Sequence, residues 1–159
     1  VGTVVHAWLQ RIAADALRGW DAQRVAALRP RFARELARRG VQDPGAAAAL
    51  VAEALANALA DERGRWLLGA HPKAVSEFRL TTPTRNLRID RYLEDAEGAT
   101  WVVDYKTSGH KGGGVEAFLD AQRERYAAQL EAYAAALGGA PGTIRRGLYF
   151  PLLRGWRAW

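Results

Sequence analysis

The chain contains neither cysteine nor methionine among its 159 residues. Without cysteine, the protein has no disulfide, no thiolate zinc site, no iron–sulfur cluster and no cysteine nucleophile. The absence of methionine extends to the first residue, Val1. We therefore expect the chain to be a fragment of a longer protein, whose targeting signals are not visible in it. A composition without cysteine is compatible with the cytoplasm, which is the location that we predict.

Long apolar runs are also missing. No stretch reaches the roughly 18 consecutive apolar residues typical of a membrane-spanning helix, and no segment has the pattern of a signal peptide, so we expect no membrane partner. Hydrophobic residues still make up 49% of the chain, which is enough for one domain with a sizeable core. The net charge of +6 favours polyanionic partners. It also fits a plain compositional bias toward arginine and alanine.

The periodicity of the apolar residues changes once along the chain. Up to about Leu68 they recur at helical spacing, whereas from Lys73 short runs typical of strands alternate with turn residues. This order predicts an α/β fold with a mixed β-sheet flanked by helices and an N-terminal helical segment. We expect a single domain over residues 1–159, with a helical part at 1–70 and a core at 73–159.

The predicted elements are as follows. Helices are expected near the N-terminus, over residues 24–39, and over residues 46–60 after a break at Pro44-Gly45. Strands are expected over residues 74–81, 86–95, 99–107 and 143–150, and the tail through Trp156 and Trp159 continues or caps the sheet. A glycine-rich loop at 108–114 precedes a helix over 115–137, which Gly138-Gly139 and Pro141-Gly142 end.

A hairpin between the second and third predicted strands brings two carboxylates together. Its three-residue loop, 96–98, ends in Gly98, which supplies the left-handed conformation that such loops need. That register sets Asp90 directly opposite Asp104, whereas a loop of another length would shift Asp90 by one residue along the partner strand. Because side chains alternate along a strand, Asp104 and Lys106 share one face. The pattern therefore predicts two carboxylates with an ammonium group beside them.

Two opposed aspartates on an otherwise apolar strand favour a bound cation. Like charges repel at the roughly 4.5–5.5 Å between directly opposed Cβ atoms, and a lone buried charge is costly. A hard divalent cation resolves the conflict, because it tolerates one or two carboxylates together with waters and a substrate phosphate. Lys106 would then orient or activate the attacking water, or stabilise charge on the phosphoryl oxygens. The alternative is an exposed hairpin edge with solvated salt bridges.

Four segments, taken in order, resemble a known family. They are Gly2-Thr3-Val4-Val5-His6, Arg88-Ile89-Asp90-Arg91, Trp101-Val102-Val103-Asp104-Tyr105-Lys106-Thr107, and residues 126–133 with Gln129 and Tyr133. In spacing and order they resemble the RecB-like branch of the PD-(D/E)xK nucleases. They are most similar to the C-terminal nuclease domain of AddA-type helicase–nucleases. The lack of cysteine favours the AddA-like branch over relatives that carry a four-cysteine iron–sulfur staple.

The resemblance implies a restriction-endonuclease-like fold and a role for each matched residue. The implied metal ligands are His6, Asp90, Asp104 and the backbone carbonyl of Tyr105, the implied catalytic residues are Asp90, Asp104 and Lys106, and the implied DNA-binding or supporting residues are Gln129 and Tyr133. Glu77 matches an acidic position that some members carry near the site. Structural alternatives remain open: His6 as a satisfied histidine on a helix face, Tyr133 as part of a core stripe, and Glu77 as a surface residue paired with an arginine.

The function that the resemblance implies is a Mg²⁺-dependent DNA nuclease, with Mn²⁺ able to substitute. It would hydrolyse phosphodiester bonds in an exonuclease-like mode during double-strand-break repair and recombination. Its partners would be single-stranded DNA ends, a helicase domain in the same parent chain and a partner subunit. The chain has no G-x-x-x-x-G-K-[ST] phosphate loop, so it carries no motor of its own. Two alternatives are a catalytically inactive nuclease-fold module that binds DNA or docks, and an unrelated α/β domain that binds an acidic protein.

Overall fold

The computed structural model describes residues 1–140 and 142–159, which divide into two compact units. The helical unit comprises Val1–Gly69, Lys106–Gly109 and Phe150–Arg154. The sheet unit comprises Ala70–Tyr105, His110–Tyr149 and Gly155–Trp159. Within the described residues, no helix has the length and apolar character needed to cross a membrane. The prediction that the whole chain is one domain stays a prediction.

Five helices form most of the helical unit. They are α1 (Gly2–Ala14), α2 (Ala22–Ala27), α3 (Arg29–Arg38), α4 (Pro44–Ala60) and α5 (Glu62–Leu68). The apolar positions at helical spacing form the core of this unit, in which Leu9, Phe32 and Leu55 have no exposed surface. Aspartates begin three of the helices, because the carboxylates of Asp21, Asp43 and Asp61 accept hydrogen bonds from backbone N–H groups of the first turn.

Two of the differences from the predicted helices occur at prolines. The helix predicted over residues 24–39 is two helices that meet at Leu28. Pro30 has no N–H group to donate, so it is accommodated in the first turn of α3 rather than inside a longer helix. Pro44 likewise lies in the first turn of α4, after the capping residue Asp43, instead of forming a break before the helix.

The sheet unit is built on five strands in the order β1-β2-β3-β4-β5. They are β1 (Lys73–Thr81), β2 (Asn86–Glu94), β3 (Thr100–Tyr105), β4 (Ile144–Phe150) and β5 (Gly155–Ala158). The first three strands are antiparallel and β3 pairs with β4 in parallel. Helix α6 (Val115–Ala136) forms the crossover that a parallel pair requires.

The structure confirms the predicted α/β class with a mixed sheet and N-terminal helices. The predicted bounds of the first four strands and of α6 agree with the structure to within two residues. The tail continues the sheet as β5, which is one of the two predicted outcomes. Pro141, which is predicted to help end α6, lies outside the described residues.

The β2–β3 hairpin has the predicted register. Gly98 adopts a φ of +81°, the left-handed conformation that the three-residue loop needs. The Cα partners of the two strands run as far as Arg91 with Val103. One further step along the same register sets Asp90 opposite Asp104. The loop length therefore predicted the register of the hairpin correctly, and the opposition of the two aspartates, one step beyond the last paired residues, stays a prediction.

The side chain of Asp95 stabilises this loop. Its Oδ1 accepts the backbone N–H groups of Glu97 and Ala99 at 3.0 and 2.9 Å, and its Oδ2 accepts the indole N–H of Trp101 at 3.1 Å. These hydrogen bonds, that of Ala99 most strongly, hold the pKa of Asp95 below its usual value. The stabilisation is therefore present above the pKa of an unfolded aspartate and is lost as the pH falls through the lower pKa of the folded carboxyl group.

We expect Asp95→Asn to lower the Tm by several degrees at neutral pH, because an amide NH₂ cannot accept the hydrogen bond from Trp101. The difference in Tm from the wild type should shrink as the pH falls through the pKa of Asp95. Thermal unfolding followed by circular dichroism at a series of pH values measures both effects. Glu97→Gln, which removes the same charge from the exposed loop, is the control. An unchanged Tm in Asp95→Asn would contradict the role of the carboxylate.

Candidate active site

The carboxylates of Asp90 and Asp104 lie on two adjacent interior strands. Asp90 is on β2 and half-buried, and Asp104 is on β3 and only 3% exposed. The backbone N–H of Tyr105 donates to Oδ2 of Asp90 at 2.9 Å. The Asp90 side chain therefore reaches across to the peptide that follows Asp104. The structure brings together the two aspartates that the sequence singled out.

The hydrogen bond from Tyr105 replaces a rung of the β2–β3 ladder. Hydrogen-bonded pairs alternate along an antiparallel ladder, and continuing that alternation from the hairpin loop would pair the Tyr105 N–H with the carbonyl of Ile89. The carboxylate of Asp90 takes this N–H instead, and the regular pairing ends at Arg91 with Val103. Asp90 thus ends the hydrogen-bonded pairing of β2 with β3, and its carboxylate is held beside β3.

The hydroxyl of Tyr133, on α6, lies close enough to Asp90 and Asp104 for their negative charges to affect its pKa. Burial, followed by the negative charges of Asp104 and Asp90, raises the pKa of Tyr133 to about 12. The amide Nε2 of Gln129 donates to this hydroxyl at 2.6 Å. Since the hydroxyl oxygen accepts from the amide, its own proton remains available for another acceptor. Tyr133 is therefore a neutral hydrogen-bond donor, positioned by Gln129, at any working pH.

A third carboxylate, that of Glu77, belongs to the same row across the sheet. The β1–β2 partners on either side of it set Glu77 opposite Asp90. Its φ is +53°, a left-handed conformation that a residue other than glycine rarely adopts, least of all inside a strand. Its Oε2 pairs with Nε of Arg88 at 2.9 Å. Glu77 is thus paired with an arginine, as the structural alternative describes, and also lies in line with Asp90 and Asp104.

The side chain of Tyr105 lies among these charges and is buried. Burial raises the pKa of Tyr105; the nearby Arg91 lowers it, and Asp90, Asp104 and Glu77 raise it further. The negative charges of all three carboxylates therefore raise the pKa of the same tyrosine. This shared effect agrees with a single row of acidic groups on β1, β2 and β3.

The donor atoms of Asp90 and Asp104 fit a hard divalent cation. Mg²⁺ binds oxygen ligands, is commonly held by one or two carboxylates, and takes its remaining ligands from water and substrate phosphate. Across residues 1–140 and 142–159, no group of three or more His, Asp and Glu side chains is gathered closely enough to hold a metal ion. The two aspartates supply the one or two carboxylates that are sufficient for Mg²⁺.

His6 lies on α1, in the helical unit, and is half-buried. Its Nδ1 lies 2.7 Å from the carbonyl oxygen of Gly2. Because a carbonyl oxygen only accepts, this contact assigns the ring proton to Nδ1 and leaves the lone pair of the neutral ring on Nε2. Histidines that bind metals usually donate their other ring N–H to a carbonyl or carboxylate in this way. The tautomer of His6 therefore fits the predicted ligand role.

Lys106 follows the last residue of β3, is half-buried and belongs to the helical unit. In the same unit α1 begins against the residue after it, since a Cβ atom on Gly2 would lie 3.0 Å from Oγ1 of Thr107. The helix that carries His6 therefore starts beside the segment that carries Lys106. Because β3 ends one residue earlier, the shared face of Lys106 and Asp104 stays a prediction.

A groove with a volume of about 520 Å³ lies between the start of β2 and α6. Arg85 lines it from the turn before β2, Arg88 lines it from β2, and Gln129 and Tyr133 line it from the helix. The cationic side chains of Arg85 and Arg88 therefore line the same groove as the hydrogen-bonded side chains of Gln129 and Tyr133. The charge and the hydrogen-bond donors of this groove suit a segment of phosphodiester backbone.

Sequence reasoning missed the two arginines of this groove. Arg88 stands in the segment that carries Asp90 but received no role, and Arg85 lies in the turn before β2. The positions of both become informative only when α6 packs on the sheet, which no local pattern reveals. An arginine two residues before a predicted metal ligand, on the same strand face, was the one available signal.

Comparison with known families gives a match to the model described as the PD-(D/E)XK nuclease superfamily, over residues 1–152. This range covers nearly the whole chain and contains every predicted site residue, from His6 to Tyr133. No curated protein matches the chain. The family match therefore rests on the same stretch of sequence that forms both the aspartate pair and the groove.

Proposed function

Because the chain belongs to the PD-(D/E)XK nuclease superfamily, we propose that it is a metal-dependent DNA nuclease with Asp90, Asp104 and Lys106 at the centre of its active site. The arrangement of the two aspartates carries the proposal. They lie on adjacent interior strands, where continuing the β2–β3 register places them opposite each other, and the Tyr105 N–H holds the Asp90 carboxylate. Like charges so placed repel each other, and a divalent cation bound between the carboxylates would relieve that repulsion.

The proposed metal ligands are Asp90, Asp104 and the carbonyl oxygen of Tyr105. The family resemblance adds Nε2 of His6, although the described residues contain no cluster of three His, Asp and Glu side chains that could hold an ion. We propose Mg²⁺ as the ion, with Mn²⁺ able to replace it, because both bind oxygen donors well. When bound, such an ion supplies Lewis-acid polarisation of the phosphoryl oxygens and makes attack by water feasible near neutral pH. The carboxylates and the imidazole would hold the ion, and the Tyr105 N–H keeps the Asp90 carboxylate oriented.

The remaining site residues act on the phosphate and the water. Lys106 would orient the attacking water or stabilise the negative charge that develops on the phosphoryl oxygens. Tyr133 keeps its proton and would donate a hydrogen bond to a phosphate oxygen, while Gln129 fixes the direction of the hydroxyl. The Arg85–Arg88 side of the groove would bind the backbone next to the scissile bond.

We expect Arg85→Ala to raise the KM for single-stranded DNA several-fold and to leave kcat nearly unchanged. An arginine that binds a neighbouring phosphate equally in the ground state and the transition state contributes uniform binding. Steady-state cleavage of an end-labelled oligonucleotide measures both constants. Arg79→Ala, which removes an exposed arginine of the same hairpin outside the groove, is the matched control. A wild-type KM in Arg85→Ala would remove Arg85 from the substrate groove.

The biological role is a further part of the proposal. The four matching segments are most similar to the RecB-like branch and to AddA-type helicase–nucleases. We therefore propose that the chain is the nuclease part of a helicase–nuclease that processes single-stranded DNA ends during double-strand-break repair and recombination. A helicase domain of the parent chain would supply the motor, a partner subunit would complete the assembly, and the site of action would be the cytoplasm.

An exonuclease-like mode predicts that free ends are required. The chain, supplied with Mg²⁺, should degrade linear single-stranded DNA and leave the circular form of the same sequence intact. Gel electrophoresis of both forms at equal nucleotide concentration tests this. Equal cutting of the circle would contradict the exonuclease mode while keeping the nuclease, whereas no cutting of either form would contradict the nuclease itself.

A further inference from the structure

The positive charge of the chain is concentrated in one short segment. Residues 11–39 contain eight arginines and three acidic residues, so they carry five of the six net positive charges. The rest of the chain is close to neutral, with a net charge of +1. A compositional bias toward arginine would spread the excess along the whole chain. The concentration therefore calls for a local cause, in the region that forms the end of α1, α2 and α3.

Helix α3 presents three of these arginines on one face. Arg31, Arg34 and Arg38 are spaced by three and four residues, which places them on the same side of a helix. All three are exposed, whereas Phe32 and Leu36 are fully buried in the core of the helical unit. The outward side of α3 is therefore lined by guanidinium groups.

The basic face continues from α3 onto α1 through a shared aromatic ring. The guanidinium carbons of Arg11 and Arg31 lie 5.3 and 5.1 Å from the ring centroid of Trp8. Contacts of this length hold cations over an aromatic face and limit their motion. Arg11, Arg31, Arg34 and Arg38 are called the arginine face below.

The one acidic residue of α3 neutralises a single member of this face, Arg31. The carboxylate of Glu35 accepts the indole N–H of Trp8 at 3.1 Å and Nε of Arg31 at 3.3 Å, so its oxygens are already engaged. Arg34 and Arg38 form no hydrogen bond or ion pair with any residue in 1–140 and 142–159. Two guanidinium groups of the arginine face therefore keep all of their donors for an external partner.

The arginines of α3 also destabilise this helix. Like charges at i and i+4, such as Arg34 and Arg38, repel each other. The first turn of α3 contains Arg29 and Arg31 but no acidic residue, so cations stand at the positive end of the helix dipole. Acidic side chains at these positions would stabilise the helix. A polyanionic partner that neutralises the arginines accounts for their presence.

We propose that the arginine face binds the sugar–phosphate backbone of DNA and acts as an anchoring surface in addition to the groove of the sheet unit. The planar guanidinium group matches phosphate oxygens with two parallel hydrogen bonds. Contacts of this kind do not depend on base sequence, and they weaken steeply with salt. The choice of DNA as the polyanion rests on the proposed nuclease function.

The test is DNA binding by the double variant Arg34→Ala/Arg38→Ala. Alanine has the highest helix propensity and relieves the repulsion, so the variant should fold with an equal or higher Tm. Fluorescence anisotropy with a labelled single-stranded oligonucleotide, in EDTA to prevent cleavage, gives the affinity over a salt series. We expect the affinity to fall about tenfold, and the slope of log K against log salt to decrease by about 1.4 for two lost phosphate contacts.

The matched control is Arg123→Ala/Arg145→Ala, which removes two exposed arginines from the sheet unit. Its affinity and salt slope should stay close to wild type. Equal loss in both double variants would mean that binding follows net charge, and this result would overturn the proposal. An unchanged affinity and slope in Arg34→Ala/Arg38→Ala would overturn it as well. So would loss of binding to polyglutamate without loss of binding to DNA, which would assign the face to an acidic protein.

Cleavage kinetics distinguish this proposal from the nuclease proposal. At saturating DNA, Arg34→Ala/Arg38→Ala should keep the wild-type kcat, because the aspartates and Lys106 are intact. A wild-type protein that binds DNA through these arginines but never cuts it would contradict the nuclease function and keep the arginine face. A variant that cuts with wild-type kcat and wild-type KM would keep the nuclease and remove the face as an anchoring surface.

Discussion

Asp104→Asn is expected to lower the rate of Mg²⁺-dependent DNA cleavage by on the order of 10³-fold. The amide has the shape of the carboxylate but no negative charge, so it binds a hard divalent cation poorly. The same change removes the repulsion between Asp104 and Asp90 in the metal-free protein. We therefore expect opposite effects on the two properties: activity is lost, and the Tm of the metal-free protein rises.

Thermal unfolding with and without Mg²⁺ separates these effects. A ligand that binds only the folded state raises its Tm, so the wild type should be stabilised by Mg²⁺ and Asp104→Asn should not. Glu124→Gln removes an exposed carboxylate of α6 and should keep the full Mg²⁺-induced shift. If Asp104→Asn cleaves DNA at the wild-type rate, or still gains stability from Mg²⁺, Asp104 is not a metal ligand.

Lys106→Ala is expected to lower kcat by on the order of 10²–10³-fold while the stabilisation by Mg²⁺ is retained. The lysine acts on the water or on the phosphoryl oxygens in the transition state, whereas the aspartates bind the metal. Its loss should therefore reduce kcat and kcat/KM together and leave the binding of DNA nearly unchanged. Single-turnover cleavage, anisotropy and thermal unfolding measure the three properties.

The control for this change is Lys111→Ala, which removes an exposed lysine from the glycine-rich loop five residues further on. It should keep the wild-type kcat. Loss of the Mg²⁺-induced stabilisation in Lys106→Ala would mean that the lysine supports the metal site rather than the chemical step. Full activity in Lys106→Ala would remove it from the catalytic residues.

The strands, the sheet class and the register of the β2–β3 hairpin were predictable because each depends on local chemistry. Short apolar runs between turn residues define β2 and β3, and a three-residue loop ending in Gly98 fixes how they pair. The register then follows by counting. The helix boundaries at Pro30 and Pro44 were predicted less well, because proline is compatible with the first turn of a helix and that position cannot be read from periodicity alone.

Several features of the candidate site were not predictable, because they depend on tertiary packing or on local distortion. The hydrogen bond from the Tyr105 N–H to Asp90 replaces a regular backbone hydrogen bond of the sheet, and no sequence pattern predicts this replacement. The left-handed conformation of Glu77 could not be predicted from the sequence either, because glutamate rarely adopts a positive φ. The groove between Arg85 and Tyr133 joins residues far apart in the chain. The roles of His6 and Lys106 came from the family resemblance and stay predictions.

The central claim is that the chain cuts DNA with a metal bound at Asp90 and Asp104 and with Lys106 assisting. The most direct test incubates end-labelled linear single-stranded DNA with the wild type, Asp104→Asn and Lys106→Ala, each in Mg²⁺ and in EDTA. The predicted result is cleavage by the wild type in Mg²⁺ alone. Cleavage in EDTA, or by both variants, would contradict the claim. Binding of DNA by the wild type without cleavage would also contradict it, and would favour a nuclease-fold module that binds DNA without cutting it.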